Sequence, residues 1–240
     1  MGHSLAITAL TCSSCFLASA SYDCTVRIWN QNDWILTHCL PTQNSAILKL
    51  TFATKDKLIG SCSDLGVKIW DPAQGILMQS FDHLHKKKIN ALITLGCGLV
   101  ASGSDDTNIK IWEPFGNGKI KTMLPGSSSV FSLTELQNCF LISGYEDKVI
   151  KIWNREDANI ILQFIAHNGP IMALETLNAY DFVSCSSDKI IKIWSTKSEH
   201  KGIIKVLHGH TDEITCLANL NNLRLASSSI DNTLKIWNLN

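Results

Sequence analysis

An all-β fold of six propeller blades is what this 240-residue sequence predicts, on three observations. The pair Ile-Trp recurs at Trp29, Trp70, Trp112, Trp153, Trp194 and Trp237, a spacing of 41 to 43 residues. Each Trp is preceded at six residues by an aspartate: Asp23, Asp64, Asp106, Asp147, Asp188 and Asp231. A cation stands two before each: Arg27, Lys68, Lys110, Lys151, Lys192 and Lys235. Between these anchors lie short apolar, β-branched runs separated by Gly, Asn and Asp, with no sustained 3.6-residue period. A fixed period of this length takes precedence over any local reading. Four short antiparallel strands per period cannot cover both of their faces alone, and radial stacking solves that problem.

The blades fall in order at about 3–41, 43–81, 85–124, 126–165, 167–207 and 210–240, and 1–240 is read as a single domain. Blade three shows the unit best. "INALITL" (89–95) precedes a Gly-Cys-Gly turn, "LVASGS" (99–104) an Asp-Asp-Thr turn, and "NIKIW" (108–112) a short loop into "KIKTML" (119–124). In blade one, "LAITALTCSSCFLASAS" (5–21) has the apolar run and small-residue end of a signal peptide. No Lys or Arg precedes it, and it aligns with later inner strands, so it is read as strand. Gly2 lacks the Ser or Thr that a myristoylation motif wants, having Ala6 there. The outer strands are expected near 34–40, 75–81, 119–124, 159–165 and 202–207; "LASSSIDNTLKIWNLN" (225–240) offers none for blade six.

Composition narrows the function classes. With 21 basic and 21 acidic residues the chain has no net charge to draw it to nucleic acid or anionic membrane. No apolar run reaches the roughly 18 residues of a membrane span. Nine cysteines scattered through strands look like reduced thiols of the cytosol, with the nucleus left open, and not a disulfide frame.

"SGSDDTNIKIW" (102–112) and "HGHTDEITCLANLNNLRLASSSIDNTLKIWN" (208–238) resemble WD40 repeats, and the resemblance runs from Gly2 to Asn238 as six units. The terminal Asp of the Trp-Asp pair survives only as Asp71. The resemblance implies a His, Ser, Asp and Trp hydrogen-bonded in each blade: His3, Ser19, Asp23 and Trp29; His85, Ser102, Asp106 and Trp112; His167, Ser184, Asp188 and Trp194; His210, Ser227, Asp231 and Trp237. Blade two has Gln43 and Gly60 at the His and Ser positions, and blade four has Gly126 for its His but keeps Ser143. A connected chain of this kind satisfies polar groups that burial strips of water. In similar propellers the N-terminal segment often supplies the outer strand of the last blade; here only Met1 to Ser4 precede the first inner strand. Blade six is therefore expected to have three strands and an open edge at 233–238. On that reading the chain is a piece of a longer protein, or a strand-donating partner occupies the edge.

Catalysis is not expected. Ser-His-Asp sets recurring at structural spacing are scaffold, whereas a hydrolase triad occurs once, in a cleft. Cys12 and Cys15 have metal-ligand spacing but no second pair, and of His83 and His85 the latter is already taken by its blade's polar chain, so no metal, cofactor or catalytic residue is assigned.

Function then falls to the loops of a rigid body. By the resemblance, the residue before each turn Asp (Tyr22, Ser63, Asp105, Glu146, Ser187, Ile230) faces the binding surface. It is joined there by the residue three after the His position (Ala6, Ala46, Lys88, Ser129, Pro170, Glu213). Tyr22, Lys86, Lys88, Asp105, Glu146, Glu213 and Ile230 are the partner-binding candidates, on a protein–protein interaction scaffold with a protein or peptide partner. The alternatives are the substrate-recognition propeller of a ubiquitin ligase, though no Trp-Asp-x-Arg box follows any Trp, or a fragment of a larger regulatory protein. The repeated Arg or Lys before Ile-Trp is expected to run its stem between blades and its head into solvent.

Overall fold

The computed structural model describes residues 2–42, 44–53, 57–137, 139–197 and 202–239. It is all-β: six sheets of propeller blades, five with four strands and the last with three, and no helix among the described residues. Consequently no helix there is long and apolar enough to cross a membrane.

Two compact units divide the chain, Met1–Pro125 and Gly126–Asn240, each holding three blades. Blade one runs Ile7–Cys12, Phe16–Ser21, Thr25–Asn30, Leu36–Pro41 from inner to outer strand, each antiparallel to the last. The expected outer strands appear at Leu36–Pro41, Ile76–Phe81, Ile120–Pro125, Ile160–Ile165 and Gly202–Leu207, and blade six ends on Leu234–Asn238 with no fourth strand. In every blade the pairing of the two innermost strands is interrupted at the turn end, between Ile7 and Ala9 in blade one and between Ile214 and Cys216 in blade six. Such a bulge bends the strand and re-aims its first residues.

The core of each unit lies between consecutive blades. Ala18, Ala20, Val26 and Ile28 of blade one pack on Ile47, Leu50 and Trp70 of blade two. Ile59, Val67 and Ile69 of blade two pack on Ile89, Leu92 and Trp112 of blade three. In the second unit Ile142, Ile150 and Ile152 meet Ile171, Leu174 and Trp194, and Val183, Cys185, Ile191 and Ile193 meet Ile214, Leu217 and Leu225. Within each unit the earlier blade of a pair offers a face of small and branched residues, and the later blade meets it with an Ile-x-x-Leu inner strand and its Trp.

All nine cysteines are free. Burial pushes the Cys62 thiol up to about 12, and it raises Cys185 as well, so both are inert apolar filler.

Candidate functional site: the turn ends of the blades

Four blades carry the complete polar chain. The Trp indole N–H donates to Ser Oγ at 3.2 Å in blades one and three, 2.7 Å in blade five and 2.8 Å in blade six. Ser Oγ lies 2.7 to 2.8 Å from His Nε2. His Nδ1 lies 2.8 to 2.9 Å from the Asp Oδ2. The indole can only donate, so Ser Oγ accepts from it; in blades three and five, where burial disfavours the charged imidazole, Ser Oγ donates to Nε2 and the Nδ1–H is aimed at the carboxylate. Burial pushes His85 and His167 below the usual imidazole range, outweighing the pull of Asp106 and Asp188.

The aspartate holds the turn as well. Its Oδ1 accepts the backbone N–H two residues on, from Thr25, Gly66, Asn108, Val149, Ile190 and Thr233, at 2.9 to 3.3 Å. In the four complete blades Oδ2 also accepts the N–H after the His, from Ser4, Lys86, Asn168 and Thr211. For Asp106 and Asp188 burial works against ionisation, but these N–H donors and the facing imidazole prevail and lower both carboxyls. The intervening residue pays the conformational cost: Cys24, Leu65, Thr107, Lys148, Lys189 and Asn232 all have φ between 59° and 73°.

Blades two and four depart where their sequences do. A Cβ on Gly60 would lie 2.8 Å from Ile47 Cγ2 and 2.9 Å from Trp70 Cζ3, so the ring of Trp70 has taken the serine's space. Gln43, the His-position residue of that blade, lies outside the described residues. In blade four Trp153 still donates to Ser143, at 2.8 Å, and Ser143 donates to the hydroxyl of the fully buried Tyr145 at 3.2 Å. Tyr145, two residues after the serine, stands in for the imidazole as the serine's partner, while Asp147 Oδ2 accepts from Ser127 Oγ at 3.4 Å. Burial pushes the Tyr145 hydroxyl up to about 12.

The repeated lysines correct the sequence expectation. In blades two to five the heads turn inward: Lys68 and Lys151 are buried, and Lys68, Lys110 and Lys192 donate to the carbonyls of Thr42, Leu84 and Ala166 at 2.7 to 2.8 Å. Each carbonyl immediately precedes its blade's His position. An ammonium ion, unlike a hydroxyl, is long enough to pin the entering loop to the third strand. Lys151 instead lies 4.9 Å from the ring centre of Tyr145.

These bonds seat the candidate residues. In all six blades the residue before the turn Asp donates its N–H to the carbonyl of the residue three after the His position. The pairs are Tyr22 to Ala6, Ser63 to Ala46, Asp105 to Lys88, Glu146 to Ser129, Ser187 to Pro170 and Ile230 to Glu213, at 2.8 to 3.2 Å. The two sets named from sequence are therefore backbone partners, side by side at one end of each blade. Tyr22 (54%) and Ile230 (53%) are more exposed than a large apolar side chain needs to be, and Lys86, Lys88 and Glu146 are exposed. Asp105 and Glu213 are half-buried, with Asp105 accepting from Asn90 Nδ2 at 2.6 Å, while Ala46 is buried and presents nothing.

The Ser-His-Asp sets have no approach for a substrate, since Ser19, Ser102, Ser184 and Ser227 are all buried. Among the described residues no group of three or more His, Cys, Asp or Glu side chains is placed to hold a metal ion.

Known proteins share this pattern in part. The nuclear distribution protein PAC1 of Arthroderma benhamiae is 32% identical over 109 residues, covering 40% of this chain and 24% of that protein. The U3 small nucleolar RNA-associated protein 4 of Schizosaccharomyces pombe is 35% identical over 91 residues, 35% of this chain and 12% of that one. The chain thus spans a quarter or less of the length of these two relatives. Among solved structures, U3-55K superposes with a TM-score of 0.87 at 21% identity over 99% of this chain and 79% of its own. The designed protein Ika8 does so with a TM-score of 0.80 at 26% identity, over 99% and 72%. The family of the WD domain, G-beta repeat, matches residues 1–30, 77–113, 118–154, 159–195 and 201–238, leaving out most of the blade whose polar chain is missing, and the chain belongs to that WD40 family.

Proposed function

We propose that this protein is a non-catalytic interaction scaffold that holds a protein or peptide partner at the turn ends of its blades. The observation that carries this reading is the six-fold backbone pairing: an identical rigid seat in every blade, bearing a different side chain each time. Tyr22, Lys86, Lys88 and Asp105 of the first unit, and Glu146, Glu213 and Ile230 of the second, are the contact residues. An exposed Tyr and Ile anchor by burying apolar area, and the lysines and carboxylates orient the partner and set its on-rate. Relatives named for nuclear distribution and for association with U3 small nucleolar RNA support a role within a larger assembly in cytoplasm or nucleus.

Affinity capture followed by mass spectrometry compares the wild type with Tyr22→Ala, Ile230→Ala and Lys86→Glu/Lys88→Glu. The same partner should be recovered by the wild type and lost, or reduced about tenfold, in at least one variant while each keeps the wild-type melting temperature. Undiminished capture by all three removes the turn ends as the site.

A further inference from the structure

Each outer strand is the edge of its sheet, and four of the five are guarded. Leu40, Phe81, Leu124, Phe164 and Leu207 each pair with the residue three before their blade's Trp, which sets the five outer strands in one register. The residue that follows is Pro41 in blade one, Asp82 in blade two, Pro125 in blade three and His208 in blade five. Proline has no N–H for a neighbouring strand and a charge resists burial, so both block an edge. In blade four the residue is Ile165, at 77% the most exposed large apolar side chain among the described residues. Blade three adds Lys121 to its outer strand and blade five Lys205, whereas Ile160–Ile165 holds neither charge nor proline.

Hydrogen bonding decides which main-chain groups face outward. Just past the strand, Ala166 donates its N–H to the Lys148 carbonyl at 2.9 Å. Pairs in an antiparallel ladder alternate, so Phe164 bonds inward to Ile150 while Gln163 and Ile165 turn their N–H and C=O groups to the open side. Among the described residues no strand lies there, since Ile160–Ile165 ends the order of its sheet. The side chains sort in the same way. Leu162 and Phe164 pack into the core shared with blade five, the Phe164 ring centre 4.8 Å from that of Trp194. Gln163 and Ile165 are exposed, and Ile161 with them at 43%.

The exposed series Ile161, Gln163, Ile165 reads the same in both directions. A two-fold axis through Gln163 lays it antiparallel on itself, with Gln163 beside Gln163, each Ile161 beside an Ile165, and no like charges brought together. The same operation fails on the other edges that lack proline. In blade two Met78, Ser80 and Asp82 would set a thioether against a carboxylate, and in blade five Ile204, Val206 and His208 an aliphatic chain against an imidazole. We infer that the outer strand of blade four is a self-pairing edge, through which two copies of this chain join their blade-four sheets into one antiparallel sheet. Main-chain bonds from Gln163 and Ile165 supply the attraction, and the uncharged, self-complementary series selects a second copy as the occupant. None of the turn-end candidate residues lies on this strand.

The test compares the 240-residue chain at about 10 µM and about 500 µM, a range that suits the weak association of a single strand pair. Sedimentation equilibrium should give the mass of one chain at the lower concentration and a mass rising toward two at the higher. Amide exchange at Gln163 and Ile165 should slow by roughly fivefold or more between them. Gln163→Lys and Gln163→Glu each set like charges together at the axis, so each alone should stay at the mass of one chain with an unchanged melting temperature. An equimolar mixture of the two variants sets Lys against Glu and should restore the rise. Val206→Lys, on the outer strand of blade five, should associate as the wild type does. The inference fails if wild-type exchange at Gln163 and Ile165 is the same at both concentrations. It fails equally if either Gln163 variant associates alone as the wild type does, or if their mixture stays at one chain, because Gln163 then does not face its own copy.

Discussion

Ser143 accepts from the Trp153 indole and donates to the hydroxyl of Tyr145 at 3.2 Å, where four other blades set an imidazole beside the serine. The fully buried phenol reaches the serine from within its own strand. Tyr145→Phe keeps the ring and removes the acceptor, leaving the serine proton only the weaker contact to the Lys151 carbonyl at 3.3 Å. The variant should lose about 1 kcal/mol in a urea melt, and Tyr145→Ala, which also opens a cavity, about 3–5 kcal/mol. Equal losses for the two would mean that the hydroxyl contributes nothing.

Acid should weaken the fold in two stages. His85 and His167 are lowered when folded. Below about pH 6.5 the unfolded chain therefore binds protons that the folded chain refuses, and stability falls with pH. Asp106 and Asp188 are also lowered, so their contribution is present above about pH 4 and fades as pH drops further. In His85→Gln/His167→Gln the decline between pH 7 and 5 should flatten while the loss below pH 4 persists. A wild-type melting temperature that is constant from pH 7 to 5 would contradict this assignment.

Much of this was legible in the sequence, for a physical reason. Six copies let position-specific demands be counted, and the Asp, Ser, His and Trp offsets repeat because one bond geometry repeats. The turn-end residues were named from the resemblance to WD40 repeats. What escaped was substitution from a different position: nothing in a His-to-Gly change at Gly126 says that Tyr145 supplies the lost partner. The lysine heads escaped because long cations usually snorkel, and only the fold shows a carbonyl within reach.

The buried lysines give the next expectation. Lys68→Met keeps the apolar stem and leaves the Thr42 carbonyl only the longer Ser45 N–H bond at 3.4 Å, so losing the charged donor should cost about 1.5–3 kcal/mol. Lys87, exposed on the turn-end loop, should change stability by less than about 0.5 kcal/mol as Lys87→Met. Thermal melts of the two variants side by side decide whether the lysine heads pin the loops.

Left-handed turn residues offer stabilisation. Thr107 has φ 70°, unfavourable for a β-branched side chain, whereas Asn232 at φ 63° suits the same place in blade six. Thr107→Asn should gain, and Asn232→Thr lose, about 1 kcal/mol. Shifts of the same sign in both would show that side-chain contacts, and not backbone conformation, govern these positions.

Blade two tests whether the polar chain can be rebuilt by sequence alone. Gly60 stands at the serine position, and Gly60→Ser would restore the residue type. Its Cβ would meet Ile47 Cγ2 at 2.8 Å and Leu50 Cδ2 at 3.1 Å, both on the face that packs against blade one, and Trp70 Cζ3 at 2.9 Å. None of these is a flexible chain end free to swing away, because Ile47, Leu50 and Trp70 are all buried. The substitution should therefore destabilise by about 1–3 kcal/mol as overpacking, even though it returns the family's residue. Gly60→Ala, which adds the Cβ without the hydroxyl, should cost as much or more. If Gly60→Ser instead stabilises the chain while Gly60→Ala does not, Trp70 has turned to donate to the new hydroxyl, and blade two retains the geometry of the others.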